Sequence, residues 1–352
     1  MNRRQLADQF STPSASPWKT YVIEAHPGNG TPSDYLTEVF DDAVVEPTDD
    51  VHLHTVHFDD EFALTVDDLD GRFWSFHSTA PTGRVASEVK RRVTARRDLD
   101  FVWLPSHHLR QVNPGVHPTY LKTDFSGWDV LPPDEVRDLA ITVRGRDADR
   151  LLDVIRRQEG HEHAVSIDRL TVAAEDPDLG RVEEAVNRFA HFIAKGDSFA
   201  LHQQLVAGVI GRYRALVEAA EARAITFSRF GEDGGGRVGG APIEVKFSRP
   251  LPDVPGFMTE LFSSREPFRL WGLHSAGNTY GECDGVDLHV GERVRVEVRP
   301  DFLRIYLYEG GCGNTVARLV TNLQHHVDGA LQILDPELNA LLTLETLAPA
   351  AA

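Results

Sequence analysis

Valine alternates with charged residues over 293–299, and this short pattern constrains the fold more than any other stretch of the chain. Val294, Val296 and Val298 occupy every second position, with arginines and one glutamate between them. Successive side chains of a strand point to opposite faces, so the pattern predicts a strand with one buried face and one charged face. Other β-branched and aromatic runs predict strands at 20–25, 51–58, 61–66, 72–79, 99–105, 224–230, 243–248 and 302–308.

Helices are indicated by apolar residues that recur at three- and four-residue spacing. Val85, Val89 and Val93 form one such stripe. Gly196 and Asp197 lie between two later patterns, as a C-terminal glycine and an N-cap would in an antiparallel helix pair. The predicted helices span 84–97, 182–193, 201–216 and 314–334.

The order of these elements predicts an α+β protein with several domains. Antiparallel sheets are expected in the N- and C-terminal parts, with a central helical and mixed region and a long C-terminal helix packed on the last sheet. The length of 352 residues favours two or three domains, and the proline-containing connection at 113–135 marks one boundary. The predicted units are a flexible N-terminal segment (1–19), an N-terminal α+β domain (20–129), a central helix-rich domain (130–223), a C-terminal sheet-and-helix domain (224–340) and a tail (341–352).

Charge and cysteine content indicate a soluble, cytoplasmic protein. The net charge of -18 opposes binding to nucleic acids and anionic membranes except through a local basic patch. The two cysteines, Cys283 and Cys312, form no disulfide framework, which is typical of a reducing compartment. No apolar run reaches the ~18 residues that a membrane span requires, and the N-terminal residues lack the apolar core of a signal peptide.

The sequence YEGGCGNTVARL, residues 308–319, is the strongest candidate for chemistry. It joins a predicted strand to a predicted helix, where glycines let backbone N–H groups approach an anion. Cys312 is a candidate nucleophile, because a helix N-terminus lowers the pKa of a thiol. The candidate anion-binding residues are Gly310, Gly311, Gly313, Asn314 and Thr315.

A structural role for the same corner is the favoured interpretation. The segment matches neither the Walker pattern nor the dinucleotide fingerprint, since no lysine precedes Thr315. In the structural role the glycines form a tight turn, Asn314 caps the helix and Cys312 packs as a small apolar residue. A histidine beside Cys312 in a cleft, such as His274, His325 or His326, would instead favour an enzyme.

The segment 84–97 carries the densest positive charge of the chain and is a candidate nucleic-acid interface. Trp74 and Trp103 lie near it in sequence and could stack on unpaired bases. The alternative is a solvated helix face, in which Glu88 pairs with Arg84 and Arg92 four residues away on either side. The candidate phosphate-binding residues are Arg84, Lys90, Arg91, Arg92, Arg96 and Arg97.

Histidine pairs do not predict a metal site. The 16 histidines make a few close pairs expected by chance, such as His52 and His54, which would share one face of a strand near Asp59 and Asp60. A pair lacks the third and fourth ligands that a zinc site needs, so no metal and no cofactor are predicted. Trp271 is expected to pack in the core.

The residues leave three functional hypotheses. The leading one is a non-catalytic binding or scaffold protein whose partner is an undefined protein or a small anionic ligand. It rests on the lack of a complete triad, metal set or nucleotide fingerprint in the sequence. The alternatives are an enzyme that uses the 310–315 corner as an anion or thiol site, and a nucleic-acid-binding protein that uses the 84–97 helix.

Overall fold

The computed structural model describes residues 2–11, 16–59, 62–129, 131, 136–157, 162–230 and 235–344. Two large sheets contain most of the strands in these ranges, and every pair of neighbouring strands is antiparallel. Helices lie between and beside the sheets. The predicted α+β class with antiparallel sheets is confirmed.

The first sheet is built from residues 18–196. Its strands are β1 (Trp18–Ala25), β2 (Val44–Pro47), β3 (Leu53–Asp59), β4 (Phe62–Asp67), β5 (Phe73–Ser78), β6 (Leu99–Phe101), β7 (Tyr120–Ser126), β8 (Asp138–Arg144), β9 (Ile167–Asp176), β10 (Gly180–Asn187) and β11 (His191–Gly196). The order is β2-β3-β4-β5-β1-β11-β10-β9-β7-β8, with β6 paired to β1. β1 is therefore central, with β5 on one edge and both β11 and β6 on the other.

The second sheet lies in the C-terminal part. A hairpin of β12 (Thr226–Phe230) and β13 (Gly235–Gly239) precedes it. Its strands are β14 (Ile243–Lys246), β15 (Leu270–Trp271), β16 (Ser275–Gly277), β17 (Tyr280–Asp287), β18 (Arg293–Arg299), β19 (Phe302–Leu307) and β20 (Gln332–Ile333). The order is β15-β17-β18-β19-β14-β20, with β16 paired to β17.

Nine helices are formed by the described residues, and α6 (Phe199–Glu221) lies between the two sheets in sequence. They are α1 (Arg3–Ser11), α2 (Pro32–Val39), α3 (Thr82–Ala95), α4 (Ser106–Arg110), α5 (Ala148–Arg156), α6 (Phe199–Glu221), α7 (Val254–Leu261), α8 (Asn314–His326) and α9 (Pro336–Thr343). One apolar cluster joins side chains of both sheets to α6 and α8, including Phe192, Leu303, Val209 and Leu323. Among these helices, none is both long and apolar enough to cross a membrane.

Several local predictions are confirmed. The 293–299 pattern forms β18, in which Val294, Val296 and Val298 are buried. The stripe of Val85, Val89 and Val93 is buried on α3. The helix predicted over 201–216 forms the middle of the longer α6, whose N-cap is Ser198.

The helix predicted over 182–193 is wrong, since β10 and β11 form a hairpin there. The prediction used the four-residue spacing of Val182 and Val186 on one face. In a strand, residues an even number of positions apart share one face, so Val182 and Val186 fit a strand equally well. Along β10, Val182, Glu184 and Val186 are buried in strict alternation, and no antiparallel helix pair precedes α6.

The C-terminal helix is shorter than predicted. α8 ends at His326 instead of continuing to residue 334. The Leu323 carbonyl accepts hydrogen bonds from the N–H groups of both Val327 and Asp328 at 2.9 and 2.8 Å, which closes the last turn. The Asp328 carboxylate accepts a hydrogen bond from the Ser248 hydroxyl at 2.9 Å, so the chain turns towards β14 and forms β20.

The expected flexible segment 1–19 contains a helix, and its flexibility stays a prediction. Within it, α1 buries Leu6 and Phe10, and the Phe10 ring stacks on Phe199 with centroids 4.9 Å apart. The expected tail 341–352 begins inside α9, and 345–352 lies outside the described residues.

The first sheet takes strands from both sides of residue 130, because β1 pairs with β11. The expected central region, 130–223, contributes four strands as well as α5 and α6. The division into domains therefore stays a prediction.

Trp271 does not pack in the core, and that prediction is wrong. Its side chain is 53% exposed, whereas its neighbour Leu270 is fully buried. Both residues form β15, a two-residue strand at the edge of the second sheet, where alternation directs one side chain inward and the next outward.

Candidate functional site

Four potential metal ligands from distant parts of the sequence meet beside the corner at 310–313. They are Glu24, His26, His289 and Cys312, and one donor atom from each lies within 4.8 Å of the others. Glu24 is near the end of β1, and His26 follows that strand. His289 follows β17, and Cys312 precedes α8. The core formed by both sheets therefore creates a cluster that no local motif contains.

The corner that holds Cys312 is shaped by glycines. Gly310 has a positive φ of 86°, which turns the chain out of β19. A Cβ atom at Gly313 would lie 2.1 Å from the Val217 carbonyl oxygen of α6, so this close approach requires glycine. Gly310 to Gly313 thus form the predicted turn between strand and helix.

The donor atoms of the cluster are close to one another. Cys312 Sγ lies 3.4 and 3.5 Å from the two carboxylate oxygens of Glu24 and 3.9 Å from His26 Nε2. His289 Nε2 lies 3.0 Å from Glu24 Oε2, and His26 Nε2 lies 3.7 Å from Glu24 Oε1. Glu24 is therefore at the centre of the cluster.

Burial differs among the four side chains. Glu24 and His289 are fully buried, and Cys312 is 5% exposed. The His26 side chain is 34% exposed and lines a cavity of about 720 Å³. That cavity is also lined by Cys312 and Gly310, so one side of the cluster is accessible to a small molecule.

Arg72 links the cluster to a second carboxylate. Its Nε donates a hydrogen bond to Glu24 at 2.6 Å, and its Nη2 donates to Glu221 at 2.6 Å and to Cys312 Sγ at 3.3 Å. Glu221, at the end of α6, also accepts a hydrogen bond from the Gly313 N–H at 2.8 Å. A backbone N–H group at the N-terminus of α8 therefore already donates its hydrogen bond to the Glu221 carboxylate.

Electrostatics around Glu24 favour its charged form. Burial alone would raise the pKa of its carboxyl group, but hydrogen bonds from His26 and His289 and the charge of Arg72 hold that pKa well below its usual range. Burial opposes protonation of His289 as well, yet the hydrogen bond to Glu24 raises the pKa of this imidazole. Glu24 is therefore a buried carboxylate that can act as an anionic ligand.

The surroundings of Cys312 oppose ionisation of its thiol, in line with the favoured structural interpretation, and its role as a nucleophile stays a prediction. Burial, and then the charge of Glu24, raise the pKa of this thiol well above its usual value, and Arg72 offsets them only in part. A thiol in this state is a poor nucleophile without help, because the thiolate is the reactive form. A divalent cation would reverse this situation, since a coordinating thiol loses its proton outright.

The other predicted anion-binding residues already have partners inside the protein. Asn314 is buried, and its amide donates a hydrogen bond to the Phe101 carbonyl at 3.2 Å. Gly313, rather than Asn314, is the N-cap of α8. The Thr315 hydroxyl donates to the Asp287 carboxylate. Gly310 and Gly311 line the cavity, so an external anion at this corner stays a prediction centred on those two residues.

A buried network of charges holds the loop that carries His289. The fully buried guanidinium of Arg318 on α8 pairs with the carboxylates of Asp100 and Asp287. The Asp287 carboxylate also accepts a hydrogen bond from the His289 backbone N–H at 2.9 Å. Cys312, directly before α8, therefore belongs to the cluster. Arg318, about one turn into α8, holds the loop of His289 through Asp287.

Histidines named from the sequence lie elsewhere. His325 and His326, at the far end of α8, bind the carbonyl oxygens of Asp124 and Ser126 at 2.7 and 2.8 Å. His274 lies 3.4 Å from the Thr259 hydroxyl. None of the three belongs to the cluster around Cys312, where His26 and His289 lie instead.

His52 and His54 share Asp68 as a carboxylate partner. Their ring nitrogens lie 2.7 and 3.1 Å from the two Asp68 oxygens. Asp60 lies outside the described residues. The pair therefore has one acidic neighbour in common at the edge of the first sheet.

The basic segment forms α3, and internal ion pairs use much of its charge. Arg91 binds Asp42 and Glu88 at 2.7 Å each, and Arg96 binds Asp98 at 2.6 Å. Arg92 is buried beside Asp41, Asp42 and Glu88. Nucleic-acid binding stays a prediction for the six candidates Arg84, Lys90, Arg91, Arg92, Arg96 and Arg97.

Base stacking on Trp74 or Trp103 is not available in this fold, because both side chains are 1% exposed. Trp74 packs edge-on against Tyr35 in the core, with ring centroids 5.4 Å apart. Trp103 donates a hydrogen bond to Asp100 at 3.2 Å. The predicted stacking role of these two residues is therefore wrong.

Sequence reasoning missed Glu24, His26, His289 and Arg72. A signal was present, because Glu24 is a charged residue inside the apolar run of β1 and His26 precedes Pro27 and Gly28 directly after that strand. Polar residues at strand ends are common in functional sites, since binding residues concentrate in loops held by a rigid scaffold. His26 and His289 each stand alone in the sequence, so a pattern of close histidine pairs does not include them.

The chain belongs to the MJECL33-like protein family, whose model matches residues 3–340. It is similar to a protein of Methanocaldococcus jannaschii called uncharacterized protein MJECL33, with 24% identity over 373 residues that cover 92% of this chain and 87% of that protein. No solved structure matches the chain. All four residues of the cluster lie within the range matched by the family model.

Proposed function

We propose that this member of the MJECL33-like family binds a divalent transition metal, with zinc the best fit, through Glu24, His26, His289 and Cys312. The observation that carries the proposal is the convergence of these four donor groups within 4.8 Å of one another. The metal would lie at the wall of the 720 Å³ cavity. The proposal departs from the sequence analysis, which predicted no metal and expected a protein or a small anion as partner.

The distances support a four-coordinate ion. Zinc binds sulfur at ~2.3 Å and nitrogen or oxygen at ~2.0–2.2 Å, so neighbouring donors of a tetrahedron lie about 3.3–3.7 Å apart. The separations from Glu24 to the other three donors are 3.0, 3.4 and 3.7 Å. Small side-chain shifts would therefore be enough to surround an ion.

The donor types support zinc over calcium or magnesium. Imidazole and thiolate groups suit zinc and its neighbours in the first transition series, whereas calcium and magnesium prefer oxygen ligands. Charge supports a divalent ion as well. A dication together with Arg72 would balance the negative charges of Glu24, Glu221 and a Cys312 thiolate.

A metal-dependent enzyme, rather than a scaffold, would require one of the four protein ligands to give up its position to water or substrate, and His26 is placed for this. Catalytic zinc sites keep one coordination position for water or substrate, whereas structural sites are closed by four protein ligands. Of the four donors, His26 alone is substantially exposed, and it borders the cavity. A substrate that entered would meet the metal on the His26 side.

The proposed metal site also indicates the cellular compartment of the protein. Cys312 can bind a metal only as a free thiolate, and both cysteines are free in the structure. A reducing environment protects such a ligand, since intracellular thiols are kept reduced. We therefore propose a cytoplasmic location, in agreement with the low cysteine content.

Metal analysis of the purified protein after loading with zinc and dialysis tests this function. We expect about one zinc per chain, with an affinity at least ~100-fold lower in Cys312→Ser and in His289→Gln, because even indirect partners of a metal contribute 10–100-fold. Cys283→Ala and His274→Gln are the matched controls and should retain wild-type affinity. Circular dichroism would establish that each variant is folded.

Equal zinc affinity in Cys312→Ser and Cys283→Ala would contradict the proposal. So would a wild-type protein that, when folded and fully reduced, binds no zinc, cobalt or iron. Binding that persists in His289→Gln but is lost in a variant of the His52 and His54 pair would place the metal elsewhere on the chain.

A further inference from the structure

A second cavity lies against the opposite face of β1 from the proposed metal site. It is a space of about 260 Å³ lined by α3, by the turn between β10 and β11, and by Glu266 and Pro267. Tyr21 of β1 lines it, whereas Glu24 belongs to the metal cluster. Residues 21 and 24 are an odd number of positions apart, so their side chains point to opposite faces of the strand.

Five aromatic side chains line the cavity. Phe101, Trp103 and Phe189 contact one another edge-on, with centroids 6.0, 5.5 and 5.1 Å apart. On another side the rings of Tyr21 and His191 are stacked 3.9 Å apart. Flat walls of this kind match a flat ligand, since aromatic rings prefer stacked or edge-to-face contacts.

Two buried polar atoms at this cavity have no hydrogen-bond partner among the described residues. They are the Tyr21 hydroxyl and His191 Nε2, in side chains that are 5% and 8% exposed. Buried polar groups are almost always paired, so two orphans that line one cavity point to a missing partner. A ligand with polar atoms along one edge would satisfy them.

Both orphan groups are neutral. Burial, and then Arg169 and Lys19, lower the pKa of His191 to about 3, and burial raises the pKa of the Tyr21 phenol. The charged side chains that line the cavity, Lys90 and Glu266, carry opposite signs and offset each other. The cavity therefore has no net preference for an anion or a cation.

We propose that this cavity binds a neutral heteroaromatic molecule of one or two rings, with its polar edge towards Tyr21 and His191. Size supports this class, because an apolar cavity of ~150 Å³ already holds benzene and this one is larger. The ring would lie against Phe101, Trp103 and Phe189. The site is independent of the metal, since it contains none of the four proposed ligands.

Titration calorimetry with indole and with adenine tests the proposal. We expect saturable binding of at least one of them to the zinc-loaded protein. Ala86 faces the cavity from α3, so Ala86→Trp should fill the space and weaken binding at least tenfold. Ser87→Trp is the matched control, because Ser87 is the exposed next residue of the same helix and its replacement should leave binding unchanged.

The polar edge is tested separately by Tyr21→Phe, which keeps the ring and removes the hydroxyl. This variant should bind the preferred probe several-fold more weakly, with the melting temperature of the unliganded protein maintained or raised because an orphan polar atom has been removed. The proposal is overturned if neither probe binds at millimolar concentration. It is equally overturned if Ala86→Trp, folded and still able to bind zinc, binds the probes as the wild type does.

Discussion

Replacing Arg318 by leucine is expected to lower the free energy of unfolding by about 3–5 kcal/mol, because removal of one partner from a buried ion pair leaves uncompensated charge in the core. Arg318 is fully buried and pairs with Asp100 and Asp287, and its Nε donates a hydrogen bond to the Phe268 carbonyl at 3.1 Å. Without the guanidinium, two buried carboxylates would face each other. Urea denaturation of metal-free protein measures the change.

Arg304→Leu is the matched control. Arg304 pairs with Glu244 at 2.6 Å on the surface, and its side chain is 38% exposed. Exposed pairs contribute ~0–1 kcal/mol, so this variant should unfold almost as the wild type does. A loss in Arg318→Leu that is no larger than in Arg304→Leu would contradict the buried network. The network also orients His289 through Asp287, so zinc affinity should fall in Arg318→Leu alone.

Acid is expected to destabilise the protein already between about pH 6.5 and 4.5, before most carboxylates are protonated. Burial lowers the pKa of His77 and His191 to about 3 and that of His108 to about 4. In the unfolded chain these imidazoles have pKa values near 6.5, so between about pH 6.5 and 4 the unfolded state binds more protons than the folded state. Stability therefore falls as the pH falls through this window.

Each of the three histidines contributes up to ~1.4 kcal/mol of lost stability per pH unit. Their sum approaches the whole 5–15 kcal/mol of a typical protein by about pH 4.5. Urea unfolding at several pH values, in the presence of chelator, measures the slope. Carboxylates with lowered pKa values, such as Asp98 and Asp335, act in the same direction but only near pH 4 and below.

A single substitution tests whether the buried histidines, rather than other titrating groups, cause the loss of stability in acid. His108→Gln should reduce the slope between pH 6.5 and 5 by up to ~1.4 kcal/mol per pH unit relative to the wild type, because it removes one buried imidazole. Stability that is constant from pH 7 to 5 would show that the buried histidines are not responsible.

Local periodicity correctly predicted those elements whose residue pattern fits either a helix or a strand, but not both. The alternation in β18 and the four-residue stripe of α3 are examples. The helix predicted over 182–193 is wrong because residues four positions apart share one face in a helix and in a strand alike. Pairing with neighbouring strands determines which of the two forms. In β10 those partners are β9 and β11, and the contacts with β9 lie about ten residues away in sequence.

The candidate site could be predicted only in part, for a physical reason. Cys312 and the glycine turn are local features, so the sequence displayed them. Glu24 and His289 are separated by more than 260 positions and meet through the packing of two sheets. No spacing rule describes that contact. The alternative of an activated Cys312 rested on the nearby helix end and did not include the Glu24 carboxylate, which β1 brings beside the thiol and which raises its pKa.

X-ray absorption spectroscopy at the zinc edge tests the central claim most directly. The zinc-loaded protein should show one sulfur ligand at ~2.3 Å and three nitrogen or oxygen ligands at ~2.0–2.2 Å. Cys312→Ser should lose the sulfur contribution, while Cys283→Ala should keep it. A coordination shell without sulfur in the wild type, or a sulfur ligand that survives in Cys312→Ser, would contradict a metal centre at Glu24, His26, His289 and Cys312.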